Sequence, residues 1–216
     1  MAFDDSILIS GQLHDIKNQI QALLSDQHDL NEAIDHAHPA RPIVEKLNLH
    51  GQGLKQRVVE LLSILKLQHS GFKPCMEEHW LSDTLEPIIN DYTQIHDVSV
   101  DLEIDEDFNS FYDDQLLSLA VRNALSNADQ AGATNVKIFV EEYDDGHWRL
   151  FFIDNGPGFN DSVLNQTQFI PQGTDHGLGL YLIQQVMKLH KRKDNIGFIE
   201  LGNHEQGGAQ LSLVFP

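Results

Sequence analysis

The second half of the chain carries three motifs in close succession: Arg-Asn-Ala-Leu-Ser-Asn-Ala-Asp-Gln-Ala at 122–131, Asp-Asn-Gly-Pro-Gly-Phe at 154–159 and His-Gly-Leu-Gly-Leu at 176–180. They supply amides, one carboxylate and paired glycines. These groups can hold a metal ion, a polar ring and phosphates respectively. The stretch from Arg122 to Leu180 therefore predicts a nucleotide-binding pocket, and the rest of the chain is interpreted around it.

The first two motifs each suggest a specific contact. Asn123 and Asn127 lie four residues apart, so on a helix they share one face and can jointly hold a hydrated metal ion. Asp154 follows an apolar, strand-like run, and its carboxylate can accept a hydrogen bond from an exocyclic amine. Gly156 and Gly158 then allow a tight turn beneath a flat ring.

The third motif opens a strongly apolar helix. Gly177, Leu178 and Gly179 stand at its start, where bare N–H groups favour a bound phosphate. Each motif alone has an ordinary structural explanation. A Gly-x-Gly pair is usually a turn, an Asn pair on a helix is usually solvated, and Asp-Asn-Gly is usually a hairpin tip. Only the order and spacing of all three favour a pocket.

In this order and spacing, the motifs resemble the N, G1 and G2 boxes of the histidine-kinase and Hsp90-like ATPase superfamily. The resemblance implies a two-layer α/β sandwich that binds ATP and Mg²⁺. It implies that Asp154 receives the adenine amine, and that Asn127, helped by Asn123, holds Mg²⁺ against the phosphates. It assigns further nucleotide contacts to Gly156, Gly158, Gly177, Leu178 and Gly179.

One position separates branches of that superfamily. Gyrase and Hsp90 usually have a Glu four residues before the Mg²⁺ asparagine, acting as a base on the hydrolytic water. Here the residue is Asn123, and an amide cannot take the proton. The resemblance therefore favours phosphoryl transfer to a protein histidine over hydrolysis. Three departures from the family pattern weaken the kinase interpretation: Gln130 replaces a frequent Lys, residues 160–175 contain no Lys or Arg, and Ala209 replaces the usual Thr.

The first seventy residues predict an antiparallel helical hairpin. Apolar residues recur in steps of four and three along two segments, separated by a break that contains Pro39 and Pro42. The two stripes are Ile9, Leu13, Ile16, Ile20, Leu23, Gln27, Leu30 and Ile34, then Val44, Leu47, Gly51, Leu54, Val58, Leu61, Leu65 and Gln68. Two helices cannot bury both stripes fully, so we expect a homodimeric four-helix bundle through residues 1–71.

His14 lies beside the stripe, so we expect its ring to reach solvent. Asp15 can fix the tautomer of that ring and manage its proton, and Asn18, one turn on, can orient a water for hydrolysis of a phosphohistidine. A surface histidine on an acidic helix usually has no function, and the chain has 12 histidines. However, His-Asp-Ile-Lys-Asn resembles the phosphoacceptor box of sensor histidine kinases, which implies that His14 accepts a phosphoryl group.

Composition limits the function classes. The formal charge is 14 − 33 = −19, which disfavours nucleic-acid and membrane-surface binding, since both depend on Lys and Arg. A single cysteine, Cys75, excludes an internal disulfide and suggests a reducing compartment. No apolar run approaches the roughly 18 residues of a membrane span. We expect a cytoplasmic protein.

The expected fold is α+β, with a helical hairpin at 1–71 and an ATP-binding domain at 72–216 that has about five strands and three helices. Ser82 and Asp83 are expected to cap the first helix of that domain, and the two asparagines to lie at the rim of the helix over 114–131. The expected strands cover 98–104, 136–142, 147–153, 196–201 and 209–215, and a further helix covers about 177–190.

The resemblance implies a histidine protein kinase that passes phosphate from His14 to a response-regulator aspartate. One alternative is a histidine phosphotransferase or response-regulator phosphatase with a weak nucleotide pocket, which the missing cations favour. Another is a nucleotide-sensing module that regulates a partner without phosphotransfer, as anti-sigma-factor-like relatives do. Those relatives generally lack an N-terminal hairpin.

Overall fold

The computed structural model describes residues 5–35, 38–69, 71–143, 146–166 and 178–216; the side chains of residues 5–17, 20 and 49 lie outside that description. The chain divides into an N-terminal unit, residues 1–72, and a C-terminal unit, residues 73–216. Each unit is described separately below.

The N-terminal unit consists of two helices that pack against each other, α1 (Asp5–Ala33) and α2 (Arg41–Gln68). Arg41 closes the connection by donating from Nη1 to the backbone oxygens of Asn31 at 2.9 Å and Ile34 at 3.2 Å. Pro42 lies in the first turn of α2, where its missing N–H costs no hydrogen bond, so only Pro39 falls in the break.

The polar residue of the α1 stripe lies against the glycine of the α2 stripe. A Cβ added to the buried Gly51 would collide with the side-chain oxygen of Gln27. The polar Gln27 and the small Gly51 each interrupt an apolar stripe, and this contact explains why both occur. Because Gly51 has no side chain, the Gln27 amide fits against α2, and this contact fixes the register of the two helices along their axes.

The C-terminal unit combines a five-stranded mixed sheet with a layer of helices, which confirms the α+β prediction. Its elements are β1 (Glu77–Trp80), α3 (Leu81–Thr93), β2 (Ser99–Glu103), β3 (Asn109–Tyr112), α4 (Asp114–Gln130), β4 (Asn135–Glu142), β5 (Trp148–Asp154), α5 (Asp161–Leu164), α6 (Leu178–Leu189), β6 (Lys191–Arg192), β7 (Asn195–Ile196), β8 (Phe198–Asn203) and β9 (Ala209–Phe215).

The strand order in the main sheet is β2-β4-β5-β9-β8, with β2 and β4 parallel and the other pairs antiparallel. β5 is central, as the apolar residues on both of its faces predict. Helix α4 packs against both α3 and α6 and lies at the centre of the helical layer. Residues spaced along its inner face, Leu117, Ala120 and Val121, are fully buried.

Two local predictions were wrong, and one strand pairing was missed. Helix α3 begins at Leu81, so Ser82 and Asp83 lie inside its first turn and no side chain caps it. Ile196 pairs with Lys191 in the β6–β7 hairpin, and the next strand begins at Phe198. The pairing of β1 with β3 was not predicted, because both strands are only four residues long and carry little periodic signal.

Candidate nucleotide-binding site

A cleft in the C-terminal unit lies between the end of α4, the start of α6 and the central strands. Its lining includes Ala124, Asn127, Ala128, Val136, Phe152, Asp154, Gly158, Phe159, Leu180 and Ala209. Residues from all three sequence motifs therefore meet at one place. Most of the lining is apolar, and Asp154 is the ionisable group among these residues, as expected for a site that holds a flat ring and orients it with few polar contacts.

Asp154 stands at the end of β5 and is held by backbone N–H groups. Its Oδ1 accepts hydrogen bonds from the amide of Gly156 at 2.8 Å and from the amide of Ala209 at 3.0 Å. Within the described chain, both hydrogen bonds to this carboxylate use the same oxygen. The two bonds to Oδ1 fix the orientation of the carboxylate, and Oδ2 remains an acceptor. This arrangement suits a ligand amine that donates a hydrogen bond.

Gly208 brings β9 close to Asp154. It has φ +92, and a Cβ there would collide with the backbone carbonyl of Asp154. The glycine thus lets Ala209 donate its N–H to the Asp154 carboxylate. The sequence showed Ala209 as a departure from a threonine, but the contact it makes uses the backbone and does not depend on the side chain.

The loop after Asp154 is fixed by two asparagines. Asn155 Oδ1 accepts from the amides of Thr134 at 2.9 Å and Asn135 at 3.0 Å, which joins the loop to the start of β4. Asn203 Oδ1 accepts from the amide of Phe159 at 2.7 Å, and its Nδ2 donates to the carbonyl of Phe159 at 2.9 Å. Sequence reasoning missed Asn203, because it lies 44 residues after Phe159.

The two asparagines of α4 are placed differently. Asn127 lines the cleft, and its amide lies against Gly179 of α6, where a Cβ would be 2.7 Å from Asn127 Oδ1. Asn123 was expected at the rim but is only 3% exposed, and its Nδ2 donates to the carbonyl of Leu119 at 2.8 Å. Its side chain is therefore packed in the interior, and unlike the adjacent Ala124 it does not line the cleft.

Both amides contain a buried atom without a hydrogen-bond partner in the described chain: Asn123 Oδ1 and Asn127 Nδ2. Leaving a buried polar atom unpaired costs about 1–3 kcal/mol, so such atoms mark places where a ligand, metal or water completes the site. Amide oxygens suit Mg²⁺, which usually takes one or two protein ligands, several waters and the phosphates of a substrate. The unpaired Asn127 Nδ2 is a donor and suits a nucleotide oxygen, while the Oδ1 of the same cleft-lining amide is the atom that suits Mg²⁺.

The start of helix α6 borders the side of the cleft where the sequence motifs predict the phosphates. The N–H groups of the first turn of α6, from Leu178 to Leu180, have no acceptor inside the helix. Leu180 lines the cleft, so this turn faces the space next to Asn127. Gly177, also predicted to contact phosphate, lies outside the described residues.

The described lining contains no Lys or Arg. Gln130, which takes the place of a frequent lysine, donates from Nε2 to Ser126 Oγ at 3.0 Å. No group of three His, Cys, Asp or Glu side chains able to hold a metal occurs within the described ranges. Within the described lining, the N–H groups at the start of α6 are the groups placed to offset negative charge on a ligand.

Comparison with known proteins agrees with this geometry. Residues 112–216 match the family of histidine kinase-, DNA gyrase B- and HSP90-like ATPases. Most of the C-terminal unit, called the ATPase domain below, therefore resembles this family. The ATPase domain includes all three motifs, so the resemblance to a sensor histidine kinase core is confirmed, together with the implied use of ATP.

Sensor protein QseC of Escherichia coli strain K12 is 33% identical over 108 residues, which cover 45% of this chain and 21% of QseC. The chain thus matches about a fifth of that protein. The solved cytoplasmic segment of histidine kinase QseC is 25% identical, with a TM-score of 0.53 over 74% of this chain and 93% of that segment. Histidine kinase AdeS of Acinetobacter baumannii shares the fold: TM-score 0.62, 16% identity, 94% of this chain and 96% of AdeS.

The phosphoacceptor residues fall on α1. His14 and Asp15 belong to the helix, but their side chains lie outside the described residues. Asn18 is exposed. Across the part of the chain that the structure describes, no helix has the length and apolar character needed to cross a membrane.

Proposed function

We propose that this protein is the core of a two-component histidine kinase that works in the cytoplasm. The ATPase domain binds Mg²⁺ and ATP, His14 accepts the γ-phosphoryl group, and an aspartate of a response-regulator receiver domain then takes it. Residues 1–71 form the dimerisation and phosphoacceptor hairpin, and residues 72–216 form the catalytic domain. The observation that carries the proposal is the convergence of Asp154, Asn127 and the start of α6 on one cleft.

Each part of the cleft has a role in loading the nucleotide. Asp154 accepts the exocyclic amine of adenine through Oδ2, while Gly158 and Phe159 border the ring. Asn127 offers its amide oxygen to Mg²⁺, whose charge, when bound, lowers the cost of negative charge building up on the phosphates. The first turn of α6 donates N–H groups to the phosphates. Most of the catalytic effect in such transfers comes from positioning and charge neutralisation.

In the transfer step, an imidazole nitrogen of His14 attacks the γ-phosphorus of ATP. A phosphorus–nitrogen bond forms, and the bond to the bridging oxygen breaks, leaving its electron pair on ADP. Asp15 accepts the proton that the other ring nitrogen loses when the phosphorus–nitrogen bond has formed. Asn18, one helical turn later, positions a water when the phosphohistidine is hydrolysed. Asn123 cannot act as a base on water, which favours this route over direct hydrolysis.

The N-terminal unit supports dimerisation. Five leucines of the two predicted stripes remain 41–53% exposed in the single chain: Leu23, Leu30, Leu47, Leu54 and Leu61. Burying a half-exposed leucine contributes on the order of 1 kcal/mol. A second hairpin packed against this face would cover the leucines of both chains symmetrically. Light scattering at micromolar concentration should give the mass of a dimer, and Leu47→Gln with Leu54→Gln should shift it to a monomer.

The test of the kinase is incubation with ATP labelled at the γ-phosphate, followed by acid and base treatment of the protein. We expect label that is lost in acid and retained in base, as a phosphohistidine requires. His14→Gln should abolish it, whereas His28→Gln, at an exposed position of the same helix, should retain it. Label that persists in His14→Gln would overturn the assignment of the acceptor.

The nucleotide site has its own test. Calorimetry with ATP and Mg²⁺ should show binding to the wild type that weakens in Asp154→Asn by about tenfold or more, because a charge-assisted hydrogen bond worth about 1.5–3 kcal/mol is lost. The amide oxygen of the substituted side chain still accepts from Gly156 and Ala209, so the thermal transition should change little. Equal affinities in both proteins would contradict the role of Asp154.

A second candidate is a histidine phosphotransferase or response-regulator phosphatase. The part of the cleft lining that the structure describes contains no Lys or Arg, which favours this candidate because each missing charge-assisted contact lowers nucleotide affinity. Such a protein would show no label from ATP, yet would exchange or remove phosphate from a phosphorylated receiver domain. A labelling assay that includes a receiver domain therefore separates the two candidates.

A further inference from the structure

The small β1–β3 sheet carries an uncovered aromatic surface. Trp80 is 47% exposed and Phe111 is 67% exposed. Glu78 pairs with Phe111 and Trp80 pairs with Asn109 in antiparallel register. Trp80 and Phe111 are therefore diagonal neighbours on one face, close enough for both rings to contact the same partner.

This aromatic pair has an acidic border. A shallow cleft beside Trp80 is lined by Ser82, Asp83, Glu86, Glu106 and Asp107, from the start of α3 and the loop before β3. The four carboxylates are on exposed residues. Glu78 lies on the aromatic face itself, opposite Phe111. The surface thus has an apolar centre and a rim of one charge sign.

The charge asymmetry extends through the sequence that builds the surface. Residues 74–121 contain 13 Asp and Glu and no Lys or Arg. In residues 73–216 the balance is 8 − 24 = −16, and four of those eight cations lie between Lys188 and Lys193. No cation within residues 74–121 can therefore neutralise the rim. A positively charged partner segment therefore complements this face.

We propose that the β1–β3 face, centred on Trp80 and Phe111, is a docking surface for a basic segment of another protein. Exposed aromatic side chains are enriched at the centres of protein interfaces, where they contribute most of the affinity, and a surrounding rim excludes water and selects partners by charge. A segment with an apolar residue flanked by Lys or Arg complements both features. The side chains used are separate from the nucleotide cleft.

The experiment uses the full chain and a fluorescein-labelled peptide of about twelve residues that alternates lysine and leucine, with a glutamate–leucine peptide as its counterpart. We expect the basic peptide to bind in a fluorescence anisotropy titration, and the acidic one not to bind. Trp80→Ser with Phe111→Ser should raise the dissociation constant at least tenfold or so. Both residues are exposed, so the thermal transition should be retained.

A matched pair controls for net charge. Glu106→Gln with Asp107→Asn removes two carboxylates from the rim, while Asp161→Asn with Glu205→Gln removes two exposed carboxylates elsewhere. The rim pair should weaken binding about threefold or more, and the distant pair by less than about twofold. Should the aromatic double variant fail to fold, this comparison decides alone.

Three outcomes would overturn the proposal. The first is no binding of the basic peptide. The second is equal weakening by the two charge pairs, which would mean that the peptide responds to net charge alone. The third is a change of oligomeric state in Trp80→Ser with Phe111→Ser, because the occupant would then be a second copy of this chain. The autophosphorylation assay is independent of all three.

Discussion

Asn203 is hydrogen-bonded to both polar backbone atoms of Phe159: its Oδ1 accepts from the amide at 2.7 Å and its Nδ2 donates to the carbonyl at 2.9 Å. Asn203 Oδ1 would also lie 2.8 Å from a Cβ on Gly158, so the side chain supports two successive loop residues. The end of β8 therefore holds the loop that borders the cleft, although no nucleotide atom needs to touch Asn203.

Asn203→Ala should weaken nucleotide binding with a smaller effect on folding. Two hydrogen bonds worth about 0.5–1.5 kcal/mol each are lost, so the dissociation constant for ATP should rise about tenfold. Calorimetry measures the affinity, and thermal unfolding monitors the fold. Asn195→Ala, on the β6–β7 hairpin, is the matched control and should bind as the wild type does. Unchanged affinity in Asn203→Ala would show that the loop holds its position without this side chain.

Two adjacent glycines separate backbone strain from a steric clash. Gly207 and Gly208 have φ values of +95 and +92, so an alanine at either position costs on the order of 1 kcal/mol. A Cβ at Gly207 meets nothing within 4 Å, whereas one at Gly208 collides with the Asp154 backbone.

Gly208→Ala should therefore lower the melting temperature clearly more than Gly207→Ala and should also abolish nucleotide binding, because β9 must move away from Asp154. Differential scanning fluorimetry with and without ATP and Mg²⁺ measures both effects. Similar behaviour of the two variants would mean that the approach of β9 to Asp154 is not required.

His190 makes stability depend on pH. It is buried, its Nε2 accepts from the Asp113 amide at 3.3 Å, and its Nδ1–H donates to the carbonyl of Val186 at 3.0 Å, so the folded protein needs the neutral ring. Burial lowers the pKa of His190 from its usual value of 6.5. Below pH 6.5, the unfolded chain binds a proton at His190 that the folded chain does not, so the free energy of unfolding falls.

The free energy of unfolding should therefore decrease as the pH falls from about 7 toward 5, and the decrease should end once the pH is below the folded pKa of His190. Urea unfolding at several pH values measures the slope. His190→Gln retains an acceptor for the Asp113 amide but does not titrate, so its slope should be smaller. An identical slope would assign the effect to the other histidines.

The Gln27–Gly51 contact predicts opposite outcomes at two glycines of α2. Gly53→Ala meets nothing within 4 Å and should stabilise the helix by about 0.5–1 kcal/mol, because alanine loses less backbone entropy. Gly51→Ala should gain less or lose stability, because the Gln27 side chain must move aside.

In a Gln27→Ala background, the two alanine substitutions should give similar changes. Chemical unfolding of the wild type, Gln27→Ala, Gly51→Ala and the corresponding double variant forms a double-mutant cycle, which gives the coupling energy between positions 27 and 51. A coupling energy near zero would show that Gln27 and Gly51 are not in contact, so that α1 and α2 pack in a different register.

Much of the ATPase domain is encoded in local signals. The run before Asp154, apolar on both faces, predicted a central strand, and the spacing of Asn123 and Asn127 placed both on one helix face. The glycines of the motifs were recognised from the order and spacing of the motifs. Asn127, Asp154, Gly158 and Leu180, drawn from the predicted stretch, do meet in one cleft.

The remaining contacts depend on distant parts of the chain. Asn203 and Gly208 follow the predicted stretch, and their partners are known only once β8 and β9 pair beside β5. Asn123 was expected at the rim because a helical wheel cannot tell which neighbouring helix covers a polar position. Tertiary packing decides such cases, and sequence periodicity does not record it.

Asp113 unites three segments in a single residue. One carboxylate oxygen caps α4 through the Leu116 amide, the other accepts from the Cys75 amide at 2.7 Å, and the Asp113 amide donates to His190. A displacement of the chain near residue 73 would consequently be transmitted through the Asp113 carboxylate to the first turn of α4, the helix that carries Asn127. The first residues of the C-terminal unit are thus tied by hydrogen bonds to the start of α4, the helix that carries Asn127.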